Sequence, residues 1–126
     1  MVRLNDNFAA RYLLLYSQGY GGFACGDGWY NIIDALSVVL QDLIRAIPEN
    51  EDRKNYYAVQ VKEKFGGLRY YMSQLTAEMS AAISVAEALS VSTCEVCGSP
   101  GTNKHNIRGW VRTLCPTCLA LEQQQQ

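Results

Sequence analysis

The sequence predicts an α+β domain in which helices pack on a β-hairpin and a cysteine-rich module closes the C-terminal end. Three observations carry that prediction. Apolar residues recur at helical spacing in three segments. Between the second and third lies a run that alternates apolar and polar residues around a glycine pair, the pattern of a hairpin. Four of the five cysteines fall between residues 94 and 118. The 126 residues suit a single domain over 1–126, with a helical and hairpin core at 1–92 and the cysteine module at 93–122. Hydrophobic residues make up 48% and charged residues 18%, which excludes a chain too polar to fold.

The elements follow in order. Leu4, Phe8, Tyr12 and Leu15 predict a helix over 4–17. Gly19, Gly21, Gly22, Gly26 and Gly28 break it, and this stretch reads as a flexible connection whose Asp27 caps the next helix. That helix spans 29–47 on a stripe of Trp29, Ile32, Ile33, Leu36, Val39, Leu40, Leu43, Ile44 and Ile47. Pro48 and the charged run 49–54 end it. In the hairpin at 56–72, Tyr57, Val59 and Val61 are expected inward, Gly66-Gly67 supplies the turn, and Leu68, Tyr70 and Met72 return along the same face. The opposite face then carries Gln60, Lys62, Lys64, Arg69 and Tyr71. A third helix over 75–91 turns Leu75, Met79, Ile83, Ala86 and Leu89 to one side. Residues 107–114 read as strand, a short helix starts at Leu119, and Gln123 to Gln126 read as a loose tail.

Cys94-x-x-Cys97 and Cys115-x-x-Cys118 are separated by 17 residues, the spacing of a four-cysteine zinc site. A two-residue gap lets a tight turn aim both thiolates at one metal, and two such pairs complete a tetrahedral shell. Gly98 suits the first knuckle. Cys94, Cys97, Cys115 and Cys118 are therefore the expected ligands of one structural Zn2+ per chain, in a treble-clef or zinc-ribbon-like finger. Four protein ligands leave no open position for catalysis.

Other chemistry finds less support. Cys25 lies in the glycine-rich stretch and has no base nearby in sequence; it reads as an ordinary thiol. His105, the sole histidine, reads as a solvated loop residue. The glycine-rich stretch lacks the terminal G-K-[S/T] of a phosphate loop. An HNH-type nuclease needs a histidine base beside separate metal ligands, and between the cysteine pairs only His105 and Asn106 are available. No enzyme is expected.

The net charge of -1 excludes coating of polyanions by bulk charge. Local charge is uneven: residues 45–69 sum to +2 and residues 94–118 to +2. Two basic faces follow, one of Lys62, Lys64 and Arg69 with Tyr71, the other of Arg108, Trp110 and Arg112. Cations interleaved with aromatics hold phosphates and stack on bases, although their stems also cover apolar surface. No apolar run reaches the roughly 18 residues of a membrane span, and no signal peptide is read, so a cytoplasmic protein with no membrane partner is expected.

Gly26-Asp27-Gly28-Trp29, the run from Val61 to Tyr71, Cys94-Glu95-Val96-Cys97-Gly98 and Trp110 to Cys115 together resemble a group of small phage and prophage proteins of unassigned function. The resemblance covers roughly residues 20–120. It implies a phage accessory protein in a bacterial cytoplasm that takes part in host–virus interaction. The expected function is non-enzymatic binding of a host protein or ribonucleoprotein, including anti-CRISPR-like inhibition of a defence complex. Contacts are expected from Lys62, Lys64, Arg69, Tyr71, Arg108 and Arg112. The alternatives are a direct nucleic-acid binder and a sponge for nucleotide defence signals.

Overall fold

The computed structural model describes residues 3–49 and 52–124, with backbone alone at 103 and 104. Two small sheets and three α-helices make up the α+β fold of these residues. The first sheet joins β1 (Phe23–Ala24), β2 (Ala58–Lys64) and β3 (Gly67–Met72), with β1 parallel and β3 antiparallel to the central β2. Helix α2 (Ala77–Ser90) packs against β3, and α1 (Tyr30–Arg45) packs against α2. The second sheet pairs β4 (Thr102–Ile107) with β5 (Trp110–Leu114), and α3 (Pro116–Gln124) follows. No helix among the described residues is long and apolar enough to cross a membrane.

The N-terminal segment is not the expected helix. It is a chain of turns around a short 3-10 helix at Phe8–Arg11, entered through Asn7 in the left-handed region at φ 64°. Leu4, Phe8, Tyr12 and Leu15 are nonetheless all buried. Successive turns delivered the same residues to the core as a helix would have done. What replaces the helical ladder is tertiary: Gln41 Oε1 on α1 accepts the amides of both Leu14 and Leu15 at 3.0 Å. Ala58 then donates its amide to Leu15 O at 2.8 Å, laying the segment beside β2. Tyr16, Ser37 and Tyr70 add a buried hydroxyl chain with links of 2.8 and 2.9 Å. Replacing Gln41 by leucine keeps the volume but strands two amides. It is expected to cost about 2 kcal/mol, read as a lower midpoint in urea.

Helix α1 follows the expected stripe except at Val39, which is 45% exposed, and buries Ser37 and Gln41 instead. Its N-terminus runs into a 3-10 turn at Asp27–Trp29. Asp27 does not cap it: Asp27 Oδ1 accepts the Leu4 amide at 2.9 Å, anchoring the N-terminal segment. At the other end Arg53 donates to the carbonyls of Ile47 and Arg45, each at 2.8 Å, and pairs with Glu49. Residues 50 and 51 of the charged run lie outside the described residues.

The hairpin shows two departures. Its turn is Phe65-Gly66, at φ 54° and 81°, and Gly67 already belongs to β3. A bulge between Ala58 and Gln60 shifts the register, so Ala58 is buried and Val59 is 42% exposed, the reverse of the expected alternation. Beyond the bulge Val61, Leu68 and Tyr70 point inward as expected. Helix α2 is capped by Thr76, whose side chain accepts the Met79 amide. It buries Met79, Ile83 and Ala86 but leaves Leu89 51% exposed, and Leu75, expected on its inner side, precedes the cap and is 50% exposed. Helix α3 begins at Pro116, earlier than Leu119, and takes in Gln123 and Gln124 of the expected tail; residues 125 and 126 lie outside the described residues.

Candidate metal centre

The four expected ligands meet. The Sγ atoms of Cys94, Cys97, Cys115 and Cys118 all lie within 4.8 Å of one another, and Cys97 and Cys115 are 3.6 Å apart. A tetrahedron with metal–sulfur bonds of about 2.3 Å has edges of about 3.8 Å, so small adjustments close the shell. The donor set fits a structural metal. Local geometry explains the meeting. Gly98, at φ 86°, turns the first knuckle so that its amide bonds Cys94 O at 2.9 Å, while Cys94 donates to Ser99 O at 2.8 Å. The second pair straddles the start of α3, where the Cys118 amide points at Cys115 Sγ at 3.4 Å. Cys94, Cys115 and Cys118 are buried and Cys97 is exposed. Hydrogen bonding from Ser99 lowers the Cys97 thiol to about 6, whereas burial and the neighbouring sulfurs push Cys118 up.

The end of the glycine-rich stretch, Gly26 to Gly28, is the seat of this module and not a flexible connection. Gly28 donates its amide to Glu95 O at 2.8 Å, and Gly26 donates to the Glu95 carboxylate at 2.8 Å. The backbones approach so closely that a Cβ at Gly28 would lie 2.3 Å from Cys94 O, and one at Gly26 2.3 Å from Glu95 O. Trp29, fully buried, donates its indole N–H to Thr93 O at 2.9 Å. On the other side Thr113 Oγ1 donates to Gly66 O at 2.5 Å, and Trp110 donates to Glu63 at 3.0 Å. The knuckle and the second sheet thus clamp onto both the α1 entry and the hairpin tip.

Glu95 is the residue of the module's seat that spacing rules missed. It is 3% exposed, and burial pushes its carboxyl above the usual range while the Gly26 amide and Arg112 pull it down. Its visible signal is a charged residue inside a tight knuckle. Arg112, expected on an open basic face, is 8% exposed. Its guanidinium stacks 4.4 Å from the Trp110 ring and lies 3.3 Å from Glu122 and 3.9 Å from Glu95. Two carboxylates and an indole therefore hold it inside the module. Arg108 is not on the strand but in the β4–β5 turn, at φ 53°. His105 is on β4, not in a loop, with Nε2 2.9 Å from Thr102 Oγ1. Cys25 lies apart from the cluster; burial, then Glu95, Asp27 and Glu63, push its thiol up to about 12 and keep it protonated at neutral pH.

The hairpin face comes together as expected. Lys62 pairs directly across from Arg69, Gln60 from Tyr71, and Lys64 from Gly67, all on the side opposite Val61 and Leu68. Among the described residues, Arg11, Arg45, Arg53 and Arg112 each have a carboxylate within 4 Å, and Lys62, Lys64 and Arg69 have none.

Fold and site together define an α+β protein with a four-cysteine candidate metal centre locked against its core. Comparison of the chain with known protein families, with curated proteins and with solved structures finds no match.

Proposed function

We propose that this is a zinc-stapled, non-enzymatic binding factor: a phage accessory protein that docks on a host protein or ribonucleoprotein and disables a defence complex. The observation that carries the binding reading is the basic face of β2 and β3. Lys62 and Arg69 stand opposite each other, with no carboxylate within 4 Å of either among the described residues, and like charges in that position cost stability. An anionic partner removes that cost. The phage setting rests on the resemblance of the motifs over residues 20–120.

Zinc is the metal that a shell of four thiolates favours. The order of knuckle, β4–β5 hairpin and a helix carrying the last ligand is that of a treble clef. Four thiolates saturate the ion, so its role is to hold the module together.

The test is capture by the tagged protein from phage-infected bacteria, with the Lys62→Glu, Arg69→Glu double variant alongside. The intact protein is expected to retain a defence complex at fixed stoichiometry. The double variant is expected to lose at least about tenfold in affinity with an unchanged melting temperature, because like-charge contacts across an interface cost several kcal/mol. Equal capture by both proteins contradicts the reading.

A further inference from the structure

Phe65 breaks two rules at once. It occupies the first central position of a two-residue hairpin turn at φ 54°, where asparagine, aspartate or glycine is favoured. It is also 71% exposed, and among the described residues its ring contact is the Lys64 ammonium at 5.6 Å. Neither feature helps the fold, and a bulky residue in the left-handed region is an outlier that points to function. The turn beneath it is rigid. Gly66 is fixed to Thr113 through its carbonyl and to Glu63 through its amide, at 2.5 and 3.1 Å. Glu63 also holds Trp110, whose ring is 48% exposed at the same seam. Phe65 therefore stands on a fixed turn at the end of the strands that carry Lys62, Lys64 and Arg69, while Glu63 and Trp110 brace that turn from the other face of the hairpin.

We infer that this hairpin tip binds a single-stranded nucleic acid, with Phe65 stacking on an unpaired base and Lys62, Lys64 and Arg69 on the flanking phosphates. An exposed aromatic ring at the end of a cationic face matches the two repeating features of a strand, its bases and its phosphates. A duplex hides the base faces that Phe65 needs, so a strand with accessible bases is the fitting ligand. The inference rests on the binding reading above and names the chemistry of the partner surface.

The test is fluorescence anisotropy with labelled RNA and DNA strands of about 12 nucleotides, single-stranded and duplex, at several salt concentrations. Phe65→Asn supplies the residue the turn prefers, so its melting temperature should stay level or rise while strand affinity falls about tenfold. Phe65→Trp should keep the affinity. Lys62→Gln should flatten the slope of log affinity against log salt by about 0.7, the share of one phosphate in a single strand. RNA and DNA arms show which sugar is preferred, and binding of either supports the inference. Preference for duplex, or wild-type affinity in Phe65→Asn, overturns it. So does a protein that binds no strand but still holds a host complex through Lys62 and Arg69; that outcome leaves the binding reading standing. Failure of both assays overturns both.

Discussion

Replacing Cys115 by serine is expected to abolish metal binding and unfold the C-terminal module. Cys115 links the two cysteine pairs: its sulfur is 3.6 Å from Cys97 and receives the Cys118 amide. Removing one of four thiolates leaves an incomplete shell, and apparent zinc-binding energies of about 10–16 kcal/mol in small modules are folding energy. A chain of this size holds a net stability of about 5–15 kcal/mol. The loss should also reach the core, because Gly26, Gly28, Trp29 and Gly66 all bond to the module. Metal content should fall to near zero, and amides over 93–122 should lose protection from hydrogen exchange. Stability should drop by roughly 5 kcal/mol or more. Cys25→Ser is the control. It lies outside the cluster, so the metal content should not change.

Gly28→Ala is expected to be the most damaging change that adds a single methyl group. The new Cβ would meet Cys94 O at 2.3 Å and Glu95 C and O at 2.5 Å, all backbone atoms of the knuckle. Backbone cannot step aside as a flexible side chain can, so either the Gly28–Glu95 hydrogen bond opens or the module shifts off its seat. Overpacking of this kind costs about 3 kcal/mol at the upper end of its usual range. The measurement is denaturant unfolding of the metal-loaded protein. Gly19→Ala, with open space around its Cβ and no positive φ, should stay within about 0.5 kcal/mol of the original.

What the sequence made legible was local. The cysteine spacing located all four members of the cluster, because the geometry of a thiolate pair is set within a few residues. The α1 stripe and the hairpin beyond its bulge were readable for the same reason. The misreadings had distant causes. The apolar spacing of 4–17 held, but Gln41, 26 residues beyond Leu15, takes the amides a helix would have used. The bulge at Ala58 reverses Val59 without any glycine or proline to announce it. Strand β1 has two residues and exists through pairing with Val61 and Lys62 far along the chain. Arg112 looked like an exposed cation until Glu95 and Glu122 were brought to it. Gly26 and Gly28 read as flexibility because nothing nearby reveals the strand of backbone that presses on them.

The central claim is that a metal held by these four sulfurs locks the module onto the core. X-ray absorption spectroscopy on protein purified without chelator, with metal content measured on the same sample, tests it most directly. The expected result is one zinc per chain with four sulfurs at about 2.3 Å. Clearly less than half an equivalent of metal, or a shell in which nitrogen or oxygen replaces one of the sulfurs, would contradict it.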